Sequence, residues 1–168
     1  MARASTPLSA TDTNTAAERK SAFDLARFVP YRLAVLAEEV SATIAQVYVD
    51  RFDLNRDQWR IIAWLGNHRD MQAKEVARLA GLDKMQMSRA LARLEERKLV
   101  SVEPDTQDRR GNVLQLTKQG RALYEKIMPL VIAREEYLLA GLTPDEIASL
   151  DTIIAKLRRQ AISLKARG

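Results

Sequence analysis

Gly81-Leu82-Asp83-Lys84-Met85-Gln86-Met87-Ser88-Arg89-Ala90-Leu91-Ala92-Arg93-Leu94-Glu95-Glu96-Arg97 is the stretch on which the rest of the chain turns. Asp83 with Gln86 three residues on is a capping-box pattern, in which the Asp side chain accepts from an orphan backbone N–H and Gln reaches back. A helix therefore starts there. Met87, Ala90, Leu91 and Leu94 follow at i, i+3, i+4 and i+7 and form one apolar stripe, while Lys84, Gln86, Arg89 and Arg93 lie off it. One face is built for a core and the other is basic and hydrogen-bonding. A solvated charged face is common on amphipathic helices, so the neighbouring segments must decide what this one meets.

Upstream, Gln72 to Ala80 reads as a short helix with Val76, Leu79 and Ala80 inward, joined through Gly81-Leu82 by a turn of helix-turn-helix length. Downstream, the strand-like runs Leu99 to Glu103 and Val113 to Leu116 bracket Pro104-Asp105-Thr106-Gln107-Asp108-Arg109-Arg110-Gly111-Asn112, a turn-rich basic loop. Helix, turn, helix and a two-stranded basic-tipped hairpin make a winged helix-turn-helix.

Asp108-Arg109-Arg110-Gly111-Asn112-Val113-Leu114-Gln115-Leu116-Thr117 resembles the D-x-R, five residues, L-T wing signature of the MarR family of bacterial transcription regulators, and Ser88-Arg89, Leu94-Glu95 and Leu99-Val100 resemble its recognition-helix pattern. The resemblance runs from about Tyr31 to Arg159. One departure stands out: the family usually has Gly where this chain has Lys98. A helix commonly ends there in the left-handed conformation that Gly tolerates best, so Lys98 is expected to cost on the order of 1 kcal/mol or to shift the ending by a residue.

Composition sets bounds. At 168 residues, 46% hydrophobic and 29% charged, the chain reads as a single compact, mainly helical unit. No run approaches the roughly 20 apolar residues of a membrane span and the start lacks a signal-peptide core, so the cytoplasm is the expected location, with no membrane partner. The formal charge is +5; residues 69–121 hold 12 Lys or Arg against 8 Asp or Glu, net +4, and residues 146–168 hold 5 against 2, net +3. Only the first excess coincides with a nucleic-acid motif. With no cysteine, thiol redox sensing and thiolate chemistry are excluded, and the single histidine, His68, has no second histidine to complete a zinc site. One His, no Cys and only 6 Gly, none in a phosphate-binding loop, argue against an enzyme, and no cofactor or metal is expected.

Residues 1–21 are rich in Ala, Ser and Thr without hydrophobic period and read as a flexible tail. Tyr31 to about Phe52 carries Leu33, Leu36, Ala37, Val40, Ile44, Val47 and Tyr48 at spacings of three and four, a long amphipathic helix. Such a helix spans about 30 Å, more than one small winged lobe needs to cover its own core. Arg56 to Leu65 reads as the next helix. Lys118 to about Leu139 is a third long one, with Pro129 inside it and Gly141 ending it. Thr143-Pro144-Asp145-Glu146 places N-cap, Pro and Glu as a helix start requires, and the helix to about Leu164 has Ile147, Leu150, Ile153, Ile154 and Leu157 on the face read as inward. The expected organisation is a helical dimerisation region from residues 22–53 and 118–168 around a winged helix-turn-helix DNA-binding region at 54–117. Surplus apolar faces at both ends are most simply covered by a twofold mate.

The resemblance implies a homodimer on double-stranded DNA, with the Asp83 helix in the major groove. Arg89 matches the family's recognition-helix arginine and is read on guanine or a phosphate, Gln86 on adenine, Lys84 and Ser88 on phosphates, and Arg93 on a phosphate or solvent. In the wing, Arg110 occupies the R of D-x-R and is expected in the minor groove, oriented by Asp108, with Arg109 beside a phosphate. Family members commonly release DNA on binding a small aromatic or phenolic anion, and some relatives use a larger acyl-CoA thioester. The matching region here holds Tyr31, Arg32, Tyr48, Trp59, Arg60 and Trp64. A winged helix that binds another protein, or an architectural DNA-binding protein without a ligand, is the alternative, and the basic recognition face with Arg109-Arg110 argues for DNA.

Overall fold

The computed structural model describes residues 23–105 and 111–167. The tail expected at residues 1–21 lies outside them. The chain divides into two compact units, Met1–Val40 and Ser41–Gly168. In the described part of the first, a 3-10 turn at Leu25–Arg27 is capped by Asp24, whose side chain accepts from Ala26 N–H at 3.0 Å, and Phe23 and Phe28 meet edge to face at 5.1 Å. Helix α1, Val29–Phe52, starts here with Pro30 in its first turn, where the missing N–H costs nothing.

The second unit takes α1 from Ser41 onward, where Val47 and Tyr48 are buried. The helix ends through Asp53, a non-glycine residue at φ 53, after which Leu54 N–H donates back to Tyr48 O at 3.0 Å and the Leu54 side chain is 1% exposed. Helix α2, Arg56–Asn67, opens on a capping box: Asn55 Oδ1 accepts from Gln58 N–H at 2.9 Å and Gln58 Oε1 from Asn55 N–H at 2.8 Å. Strand β1, Met71–Gln72, leads into α3, Ala73–Ala80, and then α4, Lys84–Glu96. Strands β2, Val100–Pro104, and β3, Asn112–Leu116, precede α5, Lys118–Leu139, and α6, Pro144–Arg167.

The sheet corrects one expectation. Among the described residues it has three strands in the order β1-β3-β2, all antiparallel, with Met71 and Val102 both opposite Leu114. Two residues are too few to show an alternating pattern, so β1 leaves no mark in the sequence. The core gathers Ile61, Ile62 and Leu65 of α2, Val76 of α3, Leu94 of α4, Leu114 of β3 and Ile127 of α5, each completely buried.

A second correction concerns α6. Its start is as read: Glu146 N–H donates to Thr143 Oγ1 at 3.3 Å, and Thr143 donates to Glu146 Oε2 from its N–H at 2.8 Å and from Oγ1 at 3.0 Å, two bonds that hold the Glu146 carboxyl below its ordinary pKa. Its apolar face, however, is not inward. Leu150, Ile153, Ile154 and Leu157 are exposed, and no residue of α6 is buried within the single chain.

Candidate nucleic-acid interface

Helix α3 ends at Gly81, whose φ of 68 is the left-handed C-cap for which glycine is suited, and Leu82 N–H donates to Ala77 O at 2.9 Å. Arg60 of α2 closes the same helix end by donating from Nη1 to Ala80 O at 3.1 Å. The chain then enters α4 through the expected capping box: Asp83 Oδ1 accepts from Met85 and Gln86 N–H, both at 2.8 Å, and Asp83 N–H donates to Gln86 Oε1 at 3.0 Å. Met87, Ala90 and Leu94 are buried and Leu91 half-buried, so α4 is clamped on one face.

Lys84, Ser88, Arg89 and Arg93 are exposed on the other, with Gln86 half-buried at its start. Three of these side chains are already committed. Gln86 spends its carbonyl oxygen in the capping box, which leaves the amide NH2 as the group available to an acceptor on a base edge. Arg89 Nη2 lies 2.8 Å from Met85 Sδ, one turn back along the helix, and Arg93 pairs with Glu96 at 2.9 Å. Beside them is an open concavity of about 640 Å³ lined by Asn55, Asp57, Gln86, Arg89, Arg93 and Glu96.

At the wing, Asp105 N–H donates to Gly111 O at 2.9 Å and draws the two ends of the loop together. The Asp105 side chain is buried, and its Oδ2 accepts from Gln72 Nε2 of β1 at 2.8 Å. Neither residue is marked in the sequence, since the two lie 33 positions apart. Asp108, Arg109 and Arg110 lie outside the described residues. The L-T of the wing signature has a structural role: Leu116 ends β3, and Thr117 caps α5, its Oγ1 accepting from Gly120 N–H at 3.0 Å and donating to Lys98 O at 2.6 Å.

Of the aromatic candidates, Tyr48 and Trp59 stack at 5.6 Å in the core. Burial pushes the Tyr48 phenol above its ordinary pKa, against the opposing pull of Arg56 and Arg60. Trp64 is half-buried and stacks on His68 at 6.2 Å. Tyr31 and Arg32 are exposed on the part of α1 that belongs to the first unit. Among the described residues no group of acidic or His side chains is arranged for a metal ion, and no helix is long and apolar enough to cross a membrane.

Residues 52–111 match the MarR family model. Over most of its length the chain is similar to a MarR/EmrR-family transcriptional regulator from Acinetobacter sp. ADP1, 28% identical and covering 84% of this chain and 99% of that one, with a TM-score of 0.76. It is also similar to a MarR-family transcriptional regulator from Silicibacter pomeroyi DSS-3, at 26% identity, 83% and 99% coverage and a TM-score of 0.71. A third similar structure is NadR in complex with 4-hydroxyphenylacetate, at 25% identity, 77% and 92% coverage and a TM-score of 0.68. Residues 52–111 thus carry the MarR family's sequence pattern, and with its capped helix α4 and three-stranded wing sheet the chain is similar over most of its length to MarR-family transcriptional regulators.

Proposed function

We propose that the protein is a homodimeric repressor that binds a pseudo-palindromic operator through α4 and the wing and releases it on binding a small aromatic acid. The observation that carries this reading is the outer face of α4. Lys84, Ser88, Arg89 and Arg93 are exposed across the outer half of a helix whose other side is anchored by buried Met87, Ala90 and Leu94. A rigid helix with exposed donors is what major-groove readout needs. A twofold mate would set two such helices about 34 Å apart, one duplex turn, for half-sites roughly 10 bp apart.

Arg89 is assigned to a guanine edge, and Gln86, with its carbonyl engaged, to an acceptor through its NH2. Lys84 and Ser88 are assigned to phosphates, as is Arg93 once it parts from Glu96. Arg110, oriented by Asp108 and flanked by Arg109, is assigned to the minor groove on the strength of the wing signature. In this reading residues 54–117 contact DNA, and 22–53 with 118–168 make the dimer.

An aromatic acid is favoured as effector because similar NadR is bound to 4-hydroxyphenylacetate. Tyr31 and Arg32 present an exposed ring and an exposed cation for such a ligand, and Trp64 a half-covered ring. Tyr48 and Trp59 already satisfy each other in the core, and Arg60 is held by Ala80 O, so those three contribute only if the core opens. Release follows if the ligand prefers a lobe spacing that two successive grooves cannot match.

The test is fluorescence anisotropy on DNA upstream of the protein's own gene, at two salt concentrations, with random DNA as competitor. Specific binding with a steep salt slope is expected, because each neutralised phosphate adds close to one unit of slope. Arg89→Ala should relax base choice by about 1 to 3 kcal/mol, and Arg110→Ala should weaken binding with little loss of fold. Equal binding by Arg110→Ala and the parent at moderate salt would sink the wing assignment.

A further inference from the structure

Arg97 is not on the exposed face of α4. It is the C-cap residue of that helix, and its guanidinium turns away to the far end of α1. Nη2 donates to Phe52 O at 2.9 Å and Nη1 donates to Asp53 O, bonds that join positions 45 and 44 residues apart. Phe52 and Asp53 carry carbonyls that the end of α1 leaves without intrahelical partners, so the fork of one guanidinium completes the end of a helix on which it does not lie. The side chain is 33% exposed and its bond to Phe52 O is partly buried, whereas the bond to Asp53 O is exposed and the Asp53 carboxylate, 4.0 Å away and fully exposed, adds little.

The consequence follows from what else holds α4. Its backbone packs on α2 and on β2, and Arg97 is its direct polar tie to the last turn of α1. A planar fork with donors in fixed geometry holds two carbonyls at once and so fixes direction as well as distance, which the single ammonium of lysine does not. We propose that Arg97 is a positioning residue for operator binding: by pinning the end of the recognition helix to the end of α1, it sets the separation at which two recognition helices meet successive turns of DNA. The inference rests on the reading of this protein as a homodimeric DNA-binding regulator. It adds that tolerance for half-site spacing is set at a residue that does not touch DNA.

The experiment first selects a duplex from random-sequence DNA with the full-length parent protein, then inserts or removes one base pair between its half-sites. The parent should lose about tenfold or more in affinity on either change. Arg97→Ala should bind the original duplex about tenfold more weakly, in line with loss of a charged hydrogen-bonding group, and should separate the three spacings by less than about threefold. Arg97→Lys, which keeps the charge, should lie between the two. The salt slope should be the same for all three proteins, because Arg97 neutralises no phosphate. If Arg97→Ala does not fold, Arg97→Lys alone carries the comparison, and parent-like spacing discrimination in it overturns the proposal. The same discrimination in a folded Arg97→Ala overturns it, as does a salt slope lowered by about one unit, which would make Arg97 a phosphate contact. If the parent selects no duplex, or selects sites without paired halves, the DNA-binding dimer itself is refuted and this inference with it.

Discussion

Lys98 stands at φ 56, in the left-handed region, directly after the C-cap of the recognition helix. Lys98 N–H donates to Glu95 O at 2.8 Å and Leu99 N–H to Leu94 O at 2.9 Å, so the tight ending forms despite the side chain. Lys98→Gly should raise stability by about 0.5 to 1 kcal/mol, read from the urea midpoint, with operator affinity unchanged. An unmoved midpoint would mean that the gain is cancelled by the freer unfolded chain. Tyr48 supplies a pH dependence. Because burial raises its pKa above the ordinary 10.0, its contribution to stability is complete below that value and is lost as pH rises through the folded-state value. Alkaline titration of the unfolding free energy should therefore show a loss above pH 10 that is smaller in Tyr48→Phe. Lys98 was legible in the sequence because a local rule, glycine at a helix end, was visibly broken there. Arg97, Gln72 and Asp105 were not, because each acts on a partner tens of residues away and carries no local pattern.

Helix starts were the most readable feature, since a cap and its box sit within four residues: Asp83 with Gln86 and Thr143 with Glu146 both form as the spacing requires. Which face of a helix is covered was less readable. Periodicity shows that α6 has an apolar face, but not whether its cover comes from the same chain, and in the single chain Ile153 and Ile154 stand about half exposed. Glycines separate two kinds of element joint. A Cβ on Gly120, in the first turn of α5, would collide with the Leu99 carbonyl oxygen, a backbone atom that cannot swing aside. Gly120→Ala should destabilise by about 3 kcal/mol or more, measured by thermal or urea unfolding. Gly141, between α5 and α6, meets nothing within 4 Å, so Gly141→Ala should be neutral or stabilise by up to about 1 kcal/mol. Equal effects of the two substitutions would contradict the docking of α5 on the turn after α4.

The exposed apolar residues bear on assembly. Leu150, Ile153, Ile154, Leu157 and Leu164 of α6 form a solvent-facing stripe of a kind monomeric soluble proteins rarely keep. Sedimentation should show a dimer at micromolar concentration, and Ile154→Glu with Leu157→Glu should shift it to monomer and abolish operator binding. A dimer that survives both changes would place the interface elsewhere. Within the second unit, three helices are finished by guanidinium groups from other helices. Arg60 closes α3, Arg97 closes α1, and Arg121 of α5 closes α2 by donating to Gly66 O and Leu65 O while its guanidinium lies over the Tyr124 ring. Amides in the last turn of a helix ordinarily lose their protons to deuterium by local fraying, long before the whole domain opens. Here fraying one end means detaching a neighbouring helix, so exchange at these three ends should be as slow as exchange in the core. Each arginine removed should speed only the end it closes.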